Sequence, residues 1–197
     1  MKVFSVCGLF LLAAAVAAAQ QAPLHNVEVV RDVMVPMRDG VRLATDLYLP
    51  AQRGTRPTGK FPAMLCRTPY NKSGQGKAAE WYAQRGYAVV TQDVRGRFRS
   101  EGRFYPFIQE GPDGYDTIEW VARQEWSNGK VGTYGASYLA WDQYRAAMER
   151  PPHLAAMFAS VGGANFYQEY AYPGGALNPG WALWILRSAE TSPPARE

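Results

Sequence analysis

The residues best suited to do chemistry sit in one short run, GTYGASYLAWDQY, at positions 132–144. Residues Lys130 to Thr133 read as a buried strand, Ser137 falls on a sharp turn, and a helix follows through Met148. A strand-to-helix turn of this kind lifts a serine hydroxyl above the end of a sheet. It also places the next backbone N–H where the oxyanion of an acyl-transfer intermediate would form. Gly135 lets such a turn close without a Cβ clash. The strict G-x-S-x-G spacing is not met, because Leu139 occupies the second glycine position. On GASYL alone, Ser137 reads as a helix N-cap more readily than as a nucleophile.

A serine hydroxyl becomes a nucleophile only when a base takes its proton. The chain has two histidines, His25 and His153. His25 precedes the first strand. His153 opens the strand after the Ser137 helix, ahead of every acid that later strands could supply, whereas the usual order is Ser, acid, His. Neither is expected to act as the base, so the acid and histidine partners are expected beyond Glu197. Cys66, in the apolar run FPAMLC, reads as a buried core thiol. With no metal-ligand spacing and no dinucleotide fingerprint, neither a metal nor a cofactor is expected.

Several elements must position these groups. Residues 27–49 alternate apolar and polar around Arg38-Asp39-Gly40, a hairpin signal. Residues 61–66 and 87–93 read as buried strands, with a helix over 77–86 between them that ends at Gly86. Residues 94–107 read as an irregular loop, and Asp113 to Arg123 as a helix that Asp113 and Asp116 cap and start. Another strand is expected over 153–163, and a short helix over Trp181–Ser188; the tail TSPPARE reads as unstructured. Strands alternating with helices predict an α/β fold with a mostly parallel sheet and an antiparallel N-terminal hairpin.

Composition fits a globular protein, with 47% apolar and 19% charged residues. Residues 1–19 carry Lys2, an apolar stretch from Val3 to Val16 and three alanines. They read as a cleaved secretory signal peptide with processing near Ala19, too short to favour a membrane span. The mature chain, 20–197, is then secreted or periplasmic, without a stable membrane anchor. Loss of Lys2 leaves a net charge of about +3, too weak to argue for nucleic acid. After processing a single thiol remains, so no internal disulfide is expected. Oligomeric state is not legible.

Taken together, these segments resemble the Xaa-Pro dipeptidyl-peptidase-like family of α/β hydrolases (peptidase S15, CocE/NonD). That family includes cocaine esterases, α-amino-acid ester hydrolases and glutaryl acylases. The elbow is similar to its G-x-S-Y-x-G form through Gly135, Ser137 and Tyr138, with Ala140 in place of the last glycine. VPMRDGVRLATDLYLP (35–50) resembles its N-terminal hairpin, RTPYNK (67–72) its R-x-P-Y loop, and QDVRGRFRSEGRF (92–104) its D-x-R-G-x-x-x-S-x-G segment. DGYDTIEWVARQEWSNGKVGTYGASYLA (113–140) and PPHLAAMFASVGG (151–163) complete the order.

The resemblance implies an N-terminal portion of an α/β-hydrolase fold acting by acyl transfer on a small-molecule or peptide acyl substrate. It implies Ser137 as nucleophile, with the Tyr70 hydroxyl and the Tyr138 backbone N–H as oxyanion donors. Tyr70 also reads as a packed turn residue after Pro69. Asp93, Arg95 and Gly96 read as structural, with Arg95 pairing a carboxylate near the elbow. The cap domain, the triad acid and the triad histidine are expected beyond Glu197, which leaves an edge strand open and the 197-residue chain inactive and poorly soluble alone. A non-catalytic binding module that keeps the acyl pocket is the alternative, and a separate polypeptide supplying the acid and base a third possibility.

Overall fold

The computed structural model describes residues 24–52, 59–163 and 165–190. The signal segment and the TSPPARE tail lie outside the described residues. The hairpin forms as β1 (Asn26–Pro36) and β2 (Arg42–Ala51), antiparallel, with a bulge between Val30 and Val33. Its turn is closed by the Met37 N–H donating to the Val41 carbonyl at 2.8 Å. Strands β3 (Phe61–Thr68), β4 (Ala88–Asp93), β5 (Ser127–Ala136) and β6 (Leu154–Ser160) complete a sheet ordered β1-β2-β4-β3-β5-β6. β4 runs antiparallel to β2 and parallel to β3, and β3, β5 and β6 continue in parallel. This is the α/β-hydrolase arrangement, with a mostly parallel sheet and an antiparallel hairpin at one edge.

Side chains alternate across the sheet because successive Cβ atoms point to opposite faces. Leu47, Leu49, Leu65, Val90 and Val131 meet Ile118 and Val121 of α2 (Glu110–Ala122) and Ala146 of α3 (Tyr138–Met148). Tyr48 and Val89 face the other way, onto Ala79 and Ala83 of α1 (Gly76–Ala83), with Met64 and Tyr134 against them. Helices thus cover both faces. Each fully buried aliphatic side chain contributes roughly 1.5–3 kcal/mol of transfer free energy.

Local readings from sequence shift in three places. β5 is longer than the Lys130–Thr133 run, since Asn128 and Gly129 turn its entry rather than ending it. α2 starts at Glu110, and neither Asp113 nor Asp116 caps it. Asp113 is claimed by Arg95, and Asp116 accepts from both the backbone N–H and the guanidinium of Arg38, so tertiary ion pairs displace local capping. The region after β6 folds into a π-helical turn (Tyr167–Ala171) and α4 (Pro179–Glu190), longer than the expected Trp181–Ser188 helix. Cys66 is buried, and burial pushes its thiol far above its ordinary range. No helix among the described residues is long and apolar enough to cross a membrane.

Candidate active site

Ser137 stands between β5 and α3 at φ 59°, ψ −120°, a conformation few L-residues adopt. The surroundings hold it there. Its N–H donates to the Ser160 carbonyl at the end of β6 (3.0 Å), and its carbonyl accepts from the Ala140 N–H (2.9 Å). Beneath the turn, the buried Gln143 amide donates to the carbonyls of Leu139 (2.9 Å), Gly135 and Phe158 (both 3.3 Å). Thr133 Oγ1 donates to the same amide's oxygen at 3.0 Å. A Cβ at Gly135 would lie 2.4 Å from that of Leu139, so only glycine lets the helix start this close to the strand. Ala140 is accommodated where the family pattern has glycine, because its methyl faces Gly162 after β6. The Ser137 residue is exposed.

Tyr138 opens α3, so its N–H is among the four that lack an intrahelical acceptor, at the positive end of the helix dipole. Its side chain fixes that position. The phenol donates to Glu110 Oε1 at 2.5 Å and accepts from the Phe107 N–H at 3.1 Å. Burial raises the Tyr138 phenol well above its ordinary range and also raises Glu110, whose carboxylate lies 3.3 Å from the buried Arg67 guanidinium. One turn along α2, Asp113 receives Arg95 through two contacts of 2.6 and 2.9 Å. Arg95 thus pairs a carboxylate of the helix that clamps the elbow, while its Nη1 and the shared Nη2 also donate to Asp39 in the hairpin turn.

Tyr70 approaches from the loop after β3. Its ring meets that of Tyr138 edge-on at 6.3 Å, and the residue is 46% exposed, with the Trp184 side chain beside its phenol. Partial burial raises the phenol above its ordinary value, which keeps it a donor. Ser137, Tyr70 and Tyr138 open together onto a cavity of about 210 Å³. Its walls are otherwise aromatic, chiefly Phe107, Trp141, Phe166, Trp181 and Trp184. Trp141 also lines this cavity and packs edge-on against Phe166 at 4.9 Å.

The histidines lie elsewhere. His153 precedes β6 and sits beside Val131, its carbonyl accepting from the Val131 N–H and its Nδ1 2.8 Å from Glu119. The six residues from Val131 to Ser137 place it on the order of 20 Å from the serine, at the wrong end of the strands. His25 packs on Phe61, the first residue of β3, at the end of the parallel strands away from Ser137. Sequence reasoning missed Glu110 and Gln143. The stripe Leu139, Asp142, Gln143, Ala146 has the i, i+3, i+4, i+7 spacing of a buried face, and two polar residues on such a face were the available signal for Gln143.

A sequence profile described as X-Pro dipeptidyl-peptidase (S15 family) matches residues 39–197. Cocaine esterase of Rhodococcus sp. (strain MB1 Bresler) is 42% identical over 178 residues, covering 85% of this chain and 30% of that protein. The crystal structure of a CocE/NonD family hydrolase from Staphylococcus aureus superposes with a TM-score of 0.74 at 28% identity, over 87% of this chain and 35% of that one. A selenomethionine-labelled α-amino acid ester hydrolase gives a TM-score of 0.59 at 31% identity, over 70% of this chain and 26% of its own. The chain therefore spans about a third of the length of these relatives.

Proposed function

The chain belongs to the X-Pro dipeptidyl-peptidase (S15) family of hydrolases, and from that premise we propose that Ser137 is the nucleophile of an acyl hydrolase. The Ser137 hydroxyl oxygen attacks the carbonyl carbon of an ester or amide, and its proton passes to a base. The carbonyl oxygen, now negative, takes hydrogen bonds from the Tyr138 N–H and the Tyr70 hydroxyl. Collapse expels the alcohol or amine with the proton, leaving acyl-Ser137, which water hydrolyses to the free acid.

The observation that carries this reading is an exposed serine in a strained backbone conformation, at the mouth of an aromatic cavity and flanked by two candidate oxyanion donors. An acyl group with an apolar face suits those walls. The base and its orienting acid are assigned to parts of the protein outside residues 24–190, since neither His25 nor His153 reaches the serine. The leaving group stays open among Xaa-Pro peptides, amino-acid esters, acyl amides and simple esters. Export after cleavage near Ala19 belongs to the same proposal.

Among the described residues no histidine lies near Ser137, and this favours one second reading, a binding module that retains the acyl pocket without turnover. Steady-state hydrolysis of a p-nitrophenyl ester, an amino-acid methyl ester and an Xaa-Pro anilide by the native protein that carries this chain separates the two. The hydrolase reading expects turnover of at least one class and a loss of about 10³-fold or more in Ser137→Ala. Binding of the intact ester, equally tight in Ser137→Ala and without turnover in either protein, supports the module instead.

A further inference from the structure

The DVRGR segment, Asp93 to Arg97, is absorbed by neither the nucleophile nor the acyl cavity, yet it touches the Tyr70 loop at three successive points. The Val94 N–H donates to the Thr68 carbonyl at 3.0 Å. Arg97 Nε donates to the Pro69 carbonyl at 2.9 Å, and its Nη1 reaches the Ser188 carbonyl of α4 at 3.1 Å. Asp93 Oδ1 accepts from the backbone N–H of Lys72 at 2.7 Å. Tyr70 lies between the second and third of these contacts, and Asn71 beside it is held at φ 81°, a strained value for a non-glycine residue.

Asp93 is the most unusual of the three, because it is fully buried and its other oxygen has no hydrogen-bond partner among the described residues. The charged groups around it come from every neighbouring element. Lys72 Nζ stands 4.0 Å from Asp93 Oδ2 while it bonds Asp32 Oδ1 in the β1 bulge (2.8 Å) and Asp46 Oδ1 in β2 (3.1 Å). Arg31 pairs with Asp46, Arg99 pairs with Asp32, and the Arg99 backbone acts to lower the Asp93 carboxyl. Burial outweighs these cations and raises the Asp93 carboxyl to about 6. An ionised carboxylate kept in a dry site at a cost to stability is a sign that its charge serves something other than folding.

We propose that Asp93 is a positioning residue that, through the Lys72 backbone, holds the Tyr70 hydroxyl where the oxyanion forms. The inference rests on the hydrolase reading and on the role given there to Tyr70. A charge-assisted hydrogen bond fixes the loop more firmly than a neutral one. Replacing the carboxylate with an amide therefore lets Tyr70 wander without emptying the site.

The test is a double-mutant cycle on the active enzyme that contains this chain, with Asp93→Asn, Tyr70→Phe and the pair, each with kcat, KM and the thermal midpoint. The expected result is a kcat about 100-fold lower for Tyr70→Phe and about 10-fold lower for Asp93→Asn. KM stays nearly unchanged, the thermal midpoint of Asp93→Asn at pH 7.5 is no lower than that of the parent, and Asp93→Asn costs less than about 2-fold in the Tyr70→Phe background. The same 10-fold loss in both backgrounds, or a kcat that falls only alongside the thermal midpoint, overturns the inference while leaving the role of Tyr70 intact. A Tyr70→Phe variant with full activity overturns both. Amide exchange at Lys72 gives an activity-independent readout: it accelerates in Asp93→Asn if the clamp is real, and an unchanged rate overturns it.

Discussion

β4 and β6 belong to the same sheet, yet they live in different environments. All six residues of β4 are buried between two hydrogen-bonded neighbours and two helical layers. β6 pairs on one side only, and Phe158 within it is 72% exposed. The β4 side is also where buried ion pairs collect, through Lys72, Arg67 and Arg95. Ser137 lies on the seam, carried by β5 between the two regions. The finished side supplies the candidate oxyanion donors and fixes them with buried polar clamps. The open side holds the serine through the hydrogen bond from its N–H to the Ser160 carbonyl at the end of β6. One side of the candidate site is thus held by buried packing, and the other, among the described residues, by a backbone bond to an edge strand.

Four changes test that division. The largest effect is expected at the seam. Gly135→Val drives a side chain into Leu139 and displaces the elbow, and should lower kcat by 10³-fold or more even where the folded protein survives. Circular dichroism alongside the assay checks that the loss is local. Next, Leu65→Ala in β3 should destabilise by about 3 kcal/mol in denaturant unfolding, because its site is closed on every side.

The third effect concerns pH. The folded-state value of Asp93 lies above the ordinary carboxylate value, so the native state favours the protonated form. Its favourable contribution is present below about pH 4 and is lost as pH rises through about 6. Asp93→Asn should therefore match the parent in stability at low pH and exceed it above pH 7 by on the order of 2 kcal/mol. A stability difference that does not change with pH would remove the argument that the carboxylate is held at a cost.

The smallest effect belongs to the open edge. Phe158→Ala should change the stability of the 197-residue chain by less than about 0.5 kcal/mol while reducing its self-association in sedimentation. A cost near that of Leu65→Ala in a longer protein would show that β6 is covered there, and would sharpen the comparison rather than break it.

How much of this was legible in the sequence follows the distance over which each feature is decided. The hairpin, the six strands and the elbow were readable because alternation, Arg38-Asp39-Gly40 and Gly135-Ala136-Ser137 are local signals. Ser137, Tyr70 and Tyr138 were named through a resemblance that ordered five separate segments, and the structure places all three on one cavity. The capping roles expected for Asp113 and Asp116 failed for a physical reason: Arg95 and Arg38, far off in the chain, outcompete the helix terminus for those carboxylates. Glu110 was invisible because its partner, the Tyr138 phenol, is 28 residues away and no spacing rule links them. Asp93 was read as structural, which describes its burial but not the loop it grips.

The central claim is that Ser137 is an activated nucleophile, and covalent capture tests it most directly. The protein in an extract of its native source should be treated with a fluorophosphonate probe, and the labelled band digested and mapped by mass spectrometry. The account predicts a phosphonate adduct on Ser137, in a species that also carries the acid and base, and no labelling after Ser137→Ala. A native protein that contains this peptide, remains folded and leaves Ser137 unmodified under conditions that label other serine hydrolases in the same extract would contradict it.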